Sequence, residues 1–353
     1  MMRLLVDNLL VKPEQAGIRS VSVNLTRALA DSPGVDVHVV AADDVGEDWG
    51  TISAHTAVKL TRNAPIARAA WRMRHLGGLV ERWRPDAIFT PAPEGGGRGR
   101  VPRFGMVHDL GPLLAPGIYG TTRFLRYAAT LGPLLRNMDG VFCVSRTTQQ
   151  DVVRWCGLDV APKLHVLYNA PQPLITSADE RPRGAAERPF VLYVGAYLPH
   201  KNVHTLVRAT IEAGLELVCV GPDYGGERAA LEREFDAEPR VRWAGFVSNA
   251  ELAELYARAS VVAFPSLFEG FGMPLVEALR AGTRVLASPL PVFRELAGDA
   301  ATYVADPLDP TSWRDGLRQV LQGPPPSVPA IAHRTWDDVA AEALAVMRRR
   351  VPA

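Results

Sequence analysis

Short apolar runs alternate along this chain with stretches whose apolar positions recur every three or four residues. That alternation is the mark of strands followed by amphipathic helices. Residues 3–10 form the first apolar run, Val21, Leu25 and Leu29 follow at helical spacing, and residues 35–40 alternate like a strand. Further strands are predicted at 87–89, 104–107, 141–144 and 164–167, with helical stretches at 68–84, 121–138 and 147–155. Ser145 stands where a cap for the last of these belongs. Residues 173–189 then break the pattern with Pro, Ser, Asp, Glu and Arg, the content of an exposed linker. Beyond it the alternation resumes, with strands at 190–194, 215–220, 241–244, 261–264 and 285–287. A last helix is predicted over 335–350, past the prolines at 324–326. Two successive strand–helix series imply an α/β protein of two Rossmann-like, doubly wound parallel-sheet domains facing across a cleft. The boundaries read 1–172, linker 173–189, 190–334, and a segment 335–353 expected to pack back on the first domain.

One stretch departs from plain alternation. Residues 261–288 read VVAFPSLFEGFGMPLVEALRAGTRVLAS. The apolar run ends at Pro265, which cannot continue a central ladder. Gly270 and Gly272 give a flexible turn, Pro274 opens a helix over 274–281, and Gly282 suits its end. A helix start beside glycine amides is a ready anion site. Glu269 and Glu277, read as loop and first helical turn, are odd neighbours for an anion unless they face hydroxyl groups. Because ligand groups in such sheets come from loops after the strands, the other marked residues are those predicted to end strands. These are Gly17, Arg19, His108, Asp109 and Asn169 in the first half, and Gly195, His200, Lys201, Asn202, Pro222 and Ser248 in the second. Lys201 would bring a point charge to a phosphate.

Composition narrows the picture. At 353 residues two domains are expected, and 47 % apolar with 22 % charged residues describes an ordinary globular protein. A net charge of +1 gives no global field for nucleic acid, so no nucleic-acid partner is expected. Three cysteines without metal-ligand spacing read as buried thiols of a cytoplasmic protein. No apolar run reaches the roughly 18–20 residues of a membrane span, and the N-terminus reads as a strand rather than a signal peptide. The basic stretch 68–84 is either a solvated helix face or a weak peripheral contact with an anionic membrane.

Residues 269–277, EGFGMPLVE, resemble the EGFGxPxxE signature of family 4 retaining glycosyltransferases, which have the GT-B fold. The likeness extends to YVGAYLPHKN at 193–202, similar to that family's donor-phosphate loop, and to VHDL at 107–110, similar to its acceptor-side histidine strand. Val144-Ser145 and Val166 to Asn169 fall in family order. The resemblance implies a nucleotide-diphosphate sugar as donor, GDP- or UDP-linked, and a hydroxyl acceptor on a polysaccharide, lipid-linked sugar or natural product. Glu269, Lys201 and His108 would then be the catalytic set: Glu269 on the sugar hydroxyls, Lys201 on the leaving diphosphate, His108 bordering sugar and acceptor. Glu277 would take the ribose hydroxyls; amides of Phe271, Gly272 and Met273, beside Gly270, would contact sugar and phosphate. Gly17 would admit close approach from the other domain. No cofactor and no metal is implied, and the chain contains no Asp-x-Asp. His200 and Ala196 stand where family members often carry arginine, and Asn169-Ala170 where Asn-Gly is frequent. The alternatives are a catalytically silent nucleotide-sugar-binding protein and an epimerase of the same architecture.

Overall fold

In the computed structural model the described residues are 1–11, 16–43, 49–60, 65–92, 99–173, 189–236, 238–324 and 326–351. Most of the predicted linker and most of the loop 95–100 lie outside them. The chain divides into two compact units, Met1–Asn169 with Thr335–Ala353, and Ala170–Arg334.

The first unit holds β1 (Met2–Asp7), β2 (Val35–Ala42), β3 (Ala54–Val58), β4 (Ala87–Thr90), β5 (Arg103–Val107), β6 (Gly140–Cys143) and β7 (Leu164–Val166). They form one parallel sheet in the order β3-β2-β1-β4-β5-β6-β7. Leu4, Leu5 and Val6 are fully buried, because a strand covered on both faces has no polar side. The helix Ala16–Asp31 follows β1, and the C-terminal helix Trp336–Arg348 packs against it and against β6. Val339, Ala340, Ala343 and Met347 are buried on this helix, and a Thr335–Asp338 capping box opens it.

The strand β3 went unread in the sequence, since AHTAV has few apolar positions and lies at a sheet edge. The basic stretch 68–84 also differs from a uniform solvated face. It consists of the helix Pro65–Trp71, a wide turn Arg72–Leu76 and the helix Gly77–Trp83, and both Arg68 and Arg72 are buried. Arg72 donates to both carboxylate oxygens of Asp7 at the end of β1, at 2.6 and 3.1 Å. A buried carboxylate requires such a partner. Two of the five arginines that suggested a membrane face are thus committed inside.

The second unit holds β8 (Phe190–Val194), β9 (Glu216–Val220), β10 (Val241–Gly245), β11 (Val261–Phe264), β12 (Arg284–Ala287) and β13 (Thr302–Tyr303). They form a parallel sheet in the order β10-β9-β8-β11-β12-β13. The order reverses at β8 and β11, and this switch point is where such sheets open a crevice at their carboxyl ends. The loops leaving β8, β9 and β10 are laced together, with Gly195 N–H donating to the Val220 carbonyl at 2.9 Å and Gly221 N–H to that of Gly245 at 2.8 Å. Cys143, Cys156 and Cys219 are free and buried, and burial pushes the Cys143 thiol up to about 12. Among the described residues no helix is long and apolar enough to cross a membrane.

Candidate active site

The switch point of the second sheet carries the most chemistry. The loop after β8 tightens into a single turn, Pro199–Lys201, and leaves it through Asn202 in the left-handed region at φ 51°. Asn202 tolerates that conformation because its amide is tied at both ends. It donates to the Pro307 carbonyl at 2.7 Å and accepts from the Thr205 hydroxyl at 2.7 Å. The loop after β11 comes alongside, with Leu267 N–H donating to the His200 carbonyl at 2.7 Å. Two loops from the strands flanking the switch are therefore bonded main chain to main chain.

Across that seam Lys201 Nζ donates to Glu269 Oε1 at 2.5 Å, with both side chains 18 % exposed. Ser266 donates to the same oxygen at 2.9 Å, so Glu269 Oε2 takes neither bond. Ser266 went unnoticed in the sequence, although its place three residues before Glu269 suits such a contact. His200 is buried, and burial together with the neighbouring Lys201 cation pushes its imidazole down to about 4. It is neutral near pH 7, so at this loop the cation is Lys201 alone.

The helix that closes the site runs Met273–Arg280 with Gly272 as its N-cap. Glu277 is therefore its fifth residue, in the second turn and not the first. Its carboxyl is buried, accepts from the Tyr256 hydroxyl at 2.9 Å and is bonded by the main chain of Gln172. Burial raises it to about 7, against these two bonds, which pull the other way. Tyr256 stands 21 residues away on the helix Asn249–Arg258, and no local spacing announces the pairing. Gly270, Phe271, Gly272 and Met273 lie together at the start of this helix, and Phe271 is buried. Pro274 has no N–H, and the N–H groups of Leu275 and Val276 donate to the Gly272 carbonyl at 3.0 and 3.4 Å, which leaves the amides of the turn before them as the ones nearest a ligand. Ser248 caps Asn249–Arg258 through a reciprocal bond with Glu251, which occupies its hydroxyl as both donor and acceptor.

In the first unit the residues are spread over several strand exits. His108, after β5, bonds through Nε2 to the Pro91 carbonyl after β4 at 2.7 Å. A carbonyl only accepts, so Nε2 carries the proton and Nδ1 the lone pair. Burial lowers this imidazole below its ordinary value, which favours the neutral form. Asp109 accepts from Gly111 N–H at 2.7 Å and shapes the turn. Asn169 lies past the edge strand β7, buried, with an Oδ1 that has no partner among the described residues. Arg19 is half-buried in the first turn of Ala16–Asp31.

Gly17 stands at the start of that helix, and a Cβ built on it meets nothing within 4 Å. The fold itself thus has no use for the missing side chain. Gly17→Ala is expected to leave the melting temperature unchanged or slightly higher, while lowering donor-dependent nucleotide release. Unchanged release at unchanged melting would show that Gly17 takes no part in donor use.

Two family models account for most of the chain: Glycosyltransferase Family 4 matches residues 16–170, and Glycosyl transferases group 1 matches 176–333. The chain belongs to the family 4, group 1 glycosyltransferases. Among curated relatives, the O-antigen chain mannosyltransferase RfbU of Salmonella typhimurium is 29 % identical over 222 residues, covering 62 % of this chain and 60 % of that protein. The O-antigen chain mannosyltransferase B of Escherichia coli is 27 % identical over 241 residues, covering 61 % and 60 %. The matched regions thus span three fifths of these relatives' length. Among solved structures, a sucrose-phosphate synthase from Thermosynechococcus elongatus shares the fold with a TM-score of 0.75, at 20 % identity and 99 % coverage of both chains. The architecture of this family 4 member is accordingly GT-B, with a Rossmann-like parallel sheet in each unit.

Proposed function

We propose that this protein is a retaining glycosyltransferase that moves a hexosyl group, mannosyl first among candidates, from a nucleotide-diphosphate sugar to a hydroxyl acceptor. The observation that carries this is the Lys201–Glu269 pair across the β8/β11 switch point, beside the helix start at Met273. The names of the related mannosyltransferases support the choice of sugar. In this reading the incoming diphosphate takes over Lys201, and Glu269 is released to accept from sugar hydroxyls. Charge then develops on the leaving diphosphate beside Lys201 and the amides at the helix start, groups already in place before reaction. His108 Nδ1 accepts from a hydroxyl on the acceptor side. No protein nucleophile, cofactor or metal is assigned a step, so a chelator is expected to leave turnover unchanged.

The test is nucleotide release from GDP-, UDP- and dTDP-sugars, after a thermal-shift screen for the donor that binds. Stabilisation by none of them, with no release in the presence of glycan acceptors, would sink the proposal. Glu277 adds a pH signature. Its folded-state value of about 7 lies above the ordinary carboxyl value of 4.5. The folded state therefore holds a proton that the unfolded chain has lost, and stability falls as pH rises between those values. Ribose hydroxyls donate to the ionised form, so donor binding should strengthen with pH through about 7 and release a proton. Titration calorimetry at pH 6 and pH 8 reads this directly, and Glu277→Gln should bind more weakly with the pH dependence gone. A wild-type affinity that does not change with pH would take Glu277 out of the ribose contact.

A further inference from the structure

The first unit carries an exposed apolar surface that the site does not use. Between β5 and β6 the chain makes a helical excursion of three segments, Gly111–Leu114, Pro116–Tyr119 and Thr121–Arg136, which pack on one another. The inner side is ordinary core: Leu113, Leu131 and Leu135 are buried, and Phe124 and Tyr127 lean on the same cluster. The outer side is not polar. Leu114 is 39 % exposed, Ile118 39 % and Leu125 59 %, and Pro116, Ala128 and Ala129 are exposed between and beyond them. Leu125, Ala128 and Ala129 stand three and four residues apart on one helix face. Trp155, set edge-on to Phe124, is also 39 % exposed and extends the apolar surface.

The charge on the excursion itself has one sign. Residues 110–138 contain Arg123, Arg126 and Arg136 and no Asp or Glu, in a chain where 38 of 353 residues are acidic. Arg136 is paired with Asp159 at 2.5 Å, so the cations that bear on this surface are Arg123 and Arg126. Arg123 lies over the Tyr119 ring at 5.9 Å and Arg126 over the Tyr127 ring at 5.7 Å. Exposed aliphatic side chains flanked by cations stacked on aromatic rings suit a bilayer interface. There the apolar groups enter the acyl boundary while the rings and guanidinium groups remain at headgroup level. A protein partner would find no carboxylate on this stretch for its own cations, whereas anionic lipid supplies the complementary charge. The contrast with 65–84 is chemical: that segment also exposes Ile66 and Met73, but it includes Glu81 and withdraws Arg68 and Arg72 into the core.

We propose that residues 114–130 dock this protein peripherally on an anionic lipid bilayer. Neither the donor nor the reaction enters this inference, so it stands if the transferase reading fails. The experiment is flotation of the full chain with vesicles of phosphatidylcholine alone and of phosphatidylcholine with about one quarter phosphatidylglycerol. The wild type is expected to float with the anionic vesicles, less so as salt rises, and to remain unbound with the neutral ones. Ile118→Glu with Leu125→Glu should lower the bound fraction about tenfold or more. Arg123→Ala with Arg126→Ala, which leaves the apolar face intact, should weaken binding and flatten its salt dependence. Ile66→Glu with Met73→Glu should bind like the wild type. Circular dichroism confirms that each variant is folded, and the arginine variant decides the matter if the glutamate pair is not. No flotation of the wild type would overturn the proposal, as would loss confined to the Ile66/Met73 variant. So would an apolar face that proves, by light scattering, to join two copies of the chain without binding vesicles.

Discussion

Replacing Lys201 with alanine is expected to slow nucleotide release from the donor sugar about 100-fold, with a much smaller change in donor KM. The reason lies in where the charge appears. In the resting protein Lys201 is spent on Glu269, bonded at 2.5 Å in a part-buried seam. Ground-state binding exchanges one carboxylate for a diphosphate, so much of the attraction cancels. As the glycosidic bond breaks, negative charge builds on the leaving diphosphate, and only then does the cation act without a competing loss. His200 cannot stand in, because its imidazole is held neutral near pH 7. Lys201→Arg should recover part of the rate, since a cation remains while the point-like geometry does not. Steady-state kinetics separate the terms: a large rise in KM at unchanged kcat would show that Lys201 only binds. Glu269→Gln tests the same seam from the other loop, where a fall in kcat comparable to that of Lys201→Ala is expected.

The second large effect concerns the loops beneath the site. Gly221, at the end of β9, has φ 147°, a conformation that side chains rarely adopt. A Cβ there would overlap the Gly195 carbonyl and lie 2.6 Å from its carbon. Both neighbours are main chain, and both belong to the laced loops that set the height of the β8 exit. Gly221→Ala should therefore destabilise the protein by about 3 kcal/mol or more. In a unit of this size that corresponds to a melting temperature lower by about 10 °C. Gly225→Ala, in the same connection but with nothing within 4 Å of its Cβ, should stay within about 0.5 kcal/mol of the wild type. Equal melting of the two variants would show that the close approach at Gly195 relaxes at little cost.

Much of this architecture was written in local pattern. Strands β8 and β11 are unbroken apolar runs, and β1 and β9 hold apolar runs at 4–6 and 217–220. All are ended by glycine, proline or polar residues, and such runs belong to parallel sheets buried on both faces. Ser145 announced its helix and does cap it, accepting from Thr148 N–H at 2.9 Å. The two-unit division and the parallel sheets followed from the order of these elements. Local pattern failed at β3, whose polar edge-strand sequence carries no burial signal, and at 68–84. There the arginine spacing reads as a surface, yet Arg68 and Arg72 turn inward, and Arg72 is held by a carboxylate 65 residues away.

For the site, residue type and loop position were legible, and state was not. By itself the sequence determined that Lys201, Glu269, Gly272 and Glu277 leave or follow strands of one parallel sheet, because alternation and breakers are properties of neighbours along the chain. Only the tertiary structure decided that Lys201 and Glu269 neutralise each other and that His200 is neutral. It alone decided that Glu277 sits one residue further into its helix than its spacing suggested, bonded to Tyr256 and raised to about 7. Charge state and pairing depend on burial and on partners brought in from distant segments. A carboxylate's neighbours in space, not those in sequence, set the free energy of its proton.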